Sequence, residues 1–371
     1  MRGLLVWAQS SCRSTMGLHR ALGQVLGVNT HIALWHYKNA NGATDIRAAV
    51  GFRGDEFSDV SVIPVGDNYE VGRRILDEHQ GWHHLFCVYQ GSPNFRRLLV
   101  EAKRRGDSVA VCCESPCNMF NGWRKLAKEV YFLTLLRALS RSVVKSADMF
   151  VNCSGNDDIY AKIIGWSEEK IIPFGYFPPP IPGSRCVKRS TPTRLEILAT
   201  GLITWHRGCD VLIEALRILK QKGVCYHATV TQDGPLRSIL QRKVEEHRLP
   251  VDFVGFMPLE ELTHAYESCS VYVGAGRHEP WGMRLNDALN CGAPLVVSEG
   301  MGGVKMVKDY HCGLPFRNED PVDLADKLYL LATDQGVYSS CAENAVIAAE
   351  ACSPQNKAKE LIDVWKARRW I

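Results

Sequence analysis

No run in this chain approaches the roughly 18 consecutive apolar residues that a membrane-spanning helix needs. Internal repeats and low-complexity segments are also missing, which argues against solenoids, coiled coils and long disordered tails. The 14 cysteines include no Cys-x2-Cys pair, and no His, Asp and Glu residues cluster at ligand spacing, so no metal is expected. Those cysteines are dispersed, several within apolar strand-like runs (Cys87, Cys112, Cys153), and no secretory leader is evident. A reduced, cytoplasmic chain is the expectation. A net charge of +4 is too mild for nucleic acid as a partner. What is present suits a globular protein: 371 residues, 46% hydrophobic and 23% charged, enough for two domains with their own cores. Apolar strands alternate with helices of ten residues or more, which predicts an α/β protein with parallel sheets covered on both faces.

The segment from Gly276 to Pro294, G-R-H-E-P-W-G-M-R-L-N-D-A-L-N-C-G-A-P, carries the most chemistry. Tyr272-Val273 before it reads as a buried strand end, and Leu295-Val296-Val297 after it as the next strand. Between them Pro280-Trp281-Gly282 turns the chain into a short helix. Amides of Gly282 and Met283 face outward at that helix start, where unpaired donors and the dipole favour a phosphate. Glu279 precedes this anion site and Asp287 lies about one turn into the helix. A sugar hydroxyl, a phosphate and a ribose diol fit so compact a unit. Upstream, Leu195–Thr200 reads as a strand, then Gly201-Leu-Ile-Thr-Trp-His-Arg207-Gly208. A helix from Cys209 follows, with Val211, Leu212, Ala215, Leu216 and Leu219 on one face.

These residues resemble glycosyltransferase family 4, retaining enzymes of the GT-B fold and of the glycosyl transferases group 1 type. Glu279, Pro280, Gly282 and Ala288 match the family's E-P-F-G-x-x-x-x-E-A, with Trp281 for the aromatic and Asp287 for the second acid. Arg207-Gly208 matches the K-G of its G-R-L-x-x-x-K-G pattern. The family's arginine is Leu202 in this chain, leaving Arg277 and Lys305 as candidates for the missing charge. Val251–Phe256 resembles the strand whose end, Gly255 and Phe256, lies under the nucleotide base. Ser298–Gly303 resembles a Gly-rich loop, and the likeness continues to about Thr333. It implies two Rossmann-like domains facing across a cleft: residues 1–180 on the acceptor side, a linker 181–193, and 194–353 for the nucleotide sugar. A last helix in 354–371 then crosses back to the first domain, with Trp365 or Trp370 as its anchor.

In the N-terminal half, Arg2–Ala8, Val60–Val65, Leu85–Tyr89, Val109–Cys113 and Met149–Asn152 read as strands. The family's Gly-rich loop after the first strand is reduced to Gly17, expected to open a helix after a polar loop. Gln90 and Glu114 stand at strand tips, where ligands of open α/β sheets bind. Trp123–Arg141 reads as a basic amphipathic helix, compatible with a solvated domain face or with a peripheral membrane contact. The resemblance implies retaining transfer of a hexose-type sugar from a nucleoside-diphosphate donor to a glycan or lipid-linked glycan acceptor, in bacterial-type surface polysaccharide or glycoconjugate synthesis. Arg207 and Glu279 are its expected catalytic residues. Asp287, Gly282, Met283, Gly255, Phe256 and Gly17 are its donor-binding ones, and neither metal nor other cofactor is expected. The alternative is a non-catalytic sugar-nucleotide-binding protein of the same fold.

Overall fold

The computed structural model describes residues 2–8, 13–34, 60–87, 92–116, 122–155 and 158–371. The chain divides into two compact units, Met1–Pro179 with Ser353–Ile371, and Pro180–Cys352. In the first unit the strands are β1 (Leu4–Ala8), β2 (Thr30–Leu34), β3 (Ser61–Pro64), β4 (His83–Phe86), β5 (Ser108–Cys113), β6 (Met149–Asn152) and β7 (Ile171–Pro173). They pair in parallel in the order β3-β2-β1-β4-β5-β6-β7. The run Leu4-Leu5-Val6-Trp7-Ala8 is buried on both faces, as a central parallel strand must be when helices cover the sheet. Trp7 anchors the core, stacked on Phe86 at 5.3 Å and meeting Phe95 edge-on at 6.3 Å.

The sequence places Gly17 at a helix start as a loop amide. The helix instead runs Arg13–Leu26, so Gly17 lies inside it and offers no loop amide. A Cβ at that position would stand 2.4 Å from Pro179 Cδ, so the glycine answers to packing. The last helix, Pro354–Ala367, belongs to this same unit and packs on Arg13–Leu26. Ser353 caps it, its hydroxyl accepting from the Asn356 amide at 3.3 Å, with Pro354 in the first helical position. Trp365 is buried and Trp370 packs against it at 4.7 Å and against His83 at 4.9 Å.

From Gly122 to Ser146 the chain is helical, with a π turn at Phe132–Leu136 in its middle. Phe132, Leu136, Ser140 and Val143 turn inward. Trp123, Leu126, Val130, Leu133 and Leu139 lie exposed, Trp123 by 76% and Leu126 by 65%. An ordinary domain helix hides such residues and shows its charges; this one shows both.

The second unit holds β8 (Leu195–Ala199), β9 (Tyr226–Thr231), β10 (Val251–Gly255), β11 (Val271–Gly274), β12 (Leu295–Ser298) and β13 (Gly313–Phe316). All pairs are parallel, in the order β10-β9-β8-β11-β12-β13. The chain therefore builds outward from β8 through β9 to β10, then returns to the other side of β8 to lay down β11. That reversal opens a crevice beyond the carboxyl ends of β8 and β11, where open α/β sheets bind ligands.

Candidate functional site

The loop leaving β11 is pinned to the loop leaving β12. Glu279 N–H donates to Gly300 O at 3.1 Å, Gly302 N–H to Glu279 O at 2.9 Å, and Gly303 N–H to Trp281 O at 2.8 Å. Trp281 is buried, its indole N–H donating to Asn286 at 2.8 Å, so the aromatic of the motif is an anchor that fixes the turn. Gly282 then takes φ +94°, a left-handed conformation that side chains resist, and starts the helix Met283–Asn290. The turn thus holds Glu279 at the mouth of the crevice.

Arg207 reaches the same place from the other wall. It ends a short helical turn, Trp205–Arg207, that closes on Gly208 at φ +68°. A Cβ on Gly208 would stand 1.9 Å from Ala275 O, so only glycine lets this turn press against the end of β11. The outcome is an ion pair between Arg207 Nη1 and a Glu279 carboxylate oxygen. Both side chains are mostly covered, 29% and 15% exposed, and Arg207 Nε is buried without an acceptor among the described residues. The neighbouring His206 is held below its ordinary pKa by burial first and by the Arg207 charge second. Thr200, Gly201, Leu202, Gly282 and Arg284 line the pocket with this pair.

The other expected site residues scatter. Arg277 does not supply charge to the pocket, a correction to the sequence reading. Its guanidinium is buried, donates to both Asp210 oxygens at 2.8 and 2.7 Å, and lies over the Trp205 ring at 4.9 Å. It braces the Trp205–Arg207 turn from behind. Lys305 pairs with Asp309 at 2.7 Å on its own helix and does not line the pocket. Met283 is exposed at the helix start. Asp287 is half-buried one turn on, close enough that its charge helps hold the Tyr266 phenol up, after burial and Tyr272. Gly255 and Phe256 stand at the carboxyl end of the edge strand β10, apart from these lining residues, with Phe256 exposed.

In the first unit Glu114 is exposed just past β5, and Gln90 lies outside the described residues. Among the described residues no group of three or more His, Cys, Asp or Glu side chains is arranged to hold a metal ion. Sequence reasoning missed Arg284. The available signal was a base in the first turn of a helix, where the dipole favours acids.

Two Rossmann-like units of parallel sheet, with a pocket at the β8/β11 crossover, are the architecture of the GT-B fold. HepE of Anabaena, solved in complex with UDP, superposes with a TM-score of 0.68 at 12% identity, over 99% of this chain and 100% of that one. Residues 185–346 match the family described as Glycosyl transferases group 1. A GDP-mannose-dependent alpha-(1-6)-phosphatidylinositol dimannoside mannosyltransferase of Mycobacterium tuberculosis is 33% identical over 122 residues, 32% of each chain. The amylovoran biosynthesis glycosyltransferase AmsK of Erwinia amylovora is 31% identical over 122 residues, 31% of this chain and 30% of that one. The matched stretch spans about a third of the length of these curated relatives.

Proposed function

We propose that this chain is a retaining glycosyltransferase that moves a hexose-type sugar from a nucleoside diphosphate to a glycan or lipid-linked glycan acceptor. The observation that carries the reading is the Arg207–Glu279 pair at the sheet crossover. The two side chains pair with each other across the pocket. A donor diphosphate takes the guanidinium, with which it makes stronger paired bonds than a single carboxylate oxygen does. Glu279, released, accepts hydrogen bonds from hydroxyls of the transferring sugar and orients it. The acceptor oxygen then bonds to the anomeric carbon as the bond from that carbon to the phosphate oxygen breaks, on the same face. The bonding pair leaves with the diphosphate, which also receives the acceptor's proton. Arg207 and the first-turn amides of Met283–Asn290 stabilise the charge that develops there. No protein nucleophile and no metal enter this scheme, so turnover survives chelation by EDTA.

A lipid-linked acceptor in surface polysaccharide or glycoconjugate synthesis is supported by the relatives' names and by the exposed apolar face of Gly122–Ser146. Arg124, Lys125, Arg137 and Arg141 are exposed along the same helix. Apolar side chains interleaved with bases suit the headgroup boundary of an anionic membrane. Among the described residues no helix is long and apolar enough to cross one. A peripheral position on the cytoplasmic face follows. A second reading, nucleotide-sugar binding without transfer, is favoured by Leu202 at the position of the family's arginine.

The two readings separate in one experiment. Full-length protein is titrated with UDP, GDP and ADP, then incubated with the sugar donors of whichever base binds. Binding with release of nucleoside diphosphate supports transfer, and binding without release, with every acceptor class offered, supports the second reading. Absence of any nucleotide binding overturns both.

A further inference from the structure

With Leu202 uncharged and 53% exposed, Arg277 committed to Asp210 and Lys305 to Asp309, each position expected to supply a second cation fails to do so. The pocket nevertheless contains a second guanidinium. Arg284, the second residue of the helix Met283–Asn290, folds back over Gly201, the neighbour of Leu202. Its Nη1 lies 2.7 Å and its Cζ 3.3 Å from the place a Cβ on Gly201 would occupy. A side chain at 201 would push the guanidinium aside. Both residues line the pocket that holds Arg207 and Glu279.

The surroundings of Arg284 make it an anion seeker. It forms no ion pair and no hydrogen bond among the described residues, although it is partly buried. Among the described residues Glu279 is the only carboxylate that lines the pocket, and it is already bound to Arg207. The Tyr266 and Tyr272 hydroxyls near Arg284 flank Thr200 at 3.0 and 2.9 Å, burial keeps both phenols protonated, and Asp287 on the same helix also acts on Tyr266 but does not line the pocket. The helix dipole opposes a cation in the first turn, and Arg207 in the same pocket repels it. Two cations facing one pocket repel each other, and a doubly charged anion between them offsets that repulsion. Arg207 Nε, buried without an acceptor, points to the same missing partner.

We infer that Arg284 is the second diphosphate-binding residue of this chain. It is delivered from the helix after β11 rather than from the loop after β8, and lies over Gly201, whose φ of +133° itself favours glycine. The inference rests on the donor reading above. It adds a residue and a route: the charge missing at Leu202 arrives from the opposite wall of the crevice.

The test is calorimetric titration of the full chain with UDP, GDP and ADP, and with the nucleoside of the base preferred. R284Q is expected to weaken diphosphate binding about ten-fold or more, as befits a lost charge-assisted pair, while nucleoside binding stays unchanged. The double variant L202R/R284Q returns the charge from the original direction and restores affinity to within about three-fold of native. R284M, which keeps the side chain's stem, carries the same test if glutamine disturbs folding. Native-like diphosphate affinity in R284Q or R284M overturns the inference and leaves the donor reading intact. Failure of the native protein to bind any of the three nucleotides overturns the donor reading, and this inference with it.

Discussion

Arg207→Ala separates a catalytic from a structural meaning of the pocket's ion pair. In the folded chain the pair joins side chains that are 29% and 15% exposed, in a pocket open to solvent on one side. Solvent screening keeps the net contribution of such a pair to stability on the order of 1 kcal/mol. Removing Arg207 leaves Glu279 without this partner, but at the pocket mouth, where water replaces it. The melting temperature is therefore expected to fall by only a few degrees. The effect on transfer is larger. Under the proposed function Arg207 is the charged donor that meets the leaving diphosphate, and loss of one such donor costs about 3 kcal/mol or more in the transition state. That corresponds to at least a hundred-fold fall in kcat. The assay is steady-state release of nucleoside diphosphate, with melting followed in parallel by calorimetry. A variant that unfolds easily yet turns over normally when folded would refute the reasoning, because the pair would then be a brace and nothing more. A substitution inert in both respects would refute it too.

Four further outcomes follow from the same geometry. Glu279→Gln keeps nucleotide affinity within about three-fold but loses most of kcat, since a contact to the transferring sugar matters most at the transition state; a near-normal kcat removes Glu279 from the sugar site. Asp287→Ala weakens nucleoside diphosphate binding about ten-fold if its carboxylate accepts from the ribose diol, and Asp287→Glu is tolerated; an unchanged Kd on titration shows that Asp287 serves only its helix. Acid destabilises the first unit through His84, whose Nδ1 accepts from the Trp7 indole at 3.2 Å and whose pKa burial depresses despite Asp107 nearby. The folded state refuses a proton that the unfolded state accepts, so this contribution is complete above the ordinary value of 6.5 and is lost as pH falls through it. Melting temperatures measured from about pH 7.5 to about pH 5.5 decline less steeply in His84→Asn, and an unaltered slope counts against the assignment. Replacing Trp123, Leu126 and Val130 together by serine abolishes co-sedimentation with anionic vesicles without lowering the melting temperature, whereas equal sedimentation of native and variant protein argues for a merely solvated helix.

Much of the second unit was readable because parallel strands buried on both faces leave long apolar runs. Leu195–Ala199 and Cys209 as a helix start stand where the apolar run and the periodicity put them, as does Met149–Asn152 in the first unit. Thr30–Leu34 and Ile171–Pro173 escaped notice, one starting with polar Thr and His, the other only three residues long and ending in Pro. Within the site, Glu279 and Arg207 were legible because turn chemistry surrounds each: Trp281 and Gly282 after the acid, Gly208 after the base. Arg277 and Arg284 were not. Arg277 stands two residues from Glu279 in sequence, yet the loop turns its side chain down onto Asp210. Arg284 stands five residues away and comes back over Gly201, a proximity created only by the crossover from β8 to β11. Linear distance from a motif is a poor guide once a helix start redirects the chain.

Under the proposed function this pocket cleaves a sugar from a nucleoside diphosphate and passes it on with retained configuration. Nuclear magnetic resonance of the sugar's anomeric proton tests it directly, with purified protein, the donor matching the preferred nucleotide, and oligosaccharides or lipid-linked glycans in anionic vesicles as acceptors. The expected outcome is release of the nucleoside diphosphate, abolished in Glu279→Gln, and a product whose anomeric coupling matches the donor's. An inverted anomer, or release that Glu279→Gln leaves untouched, would contradict it.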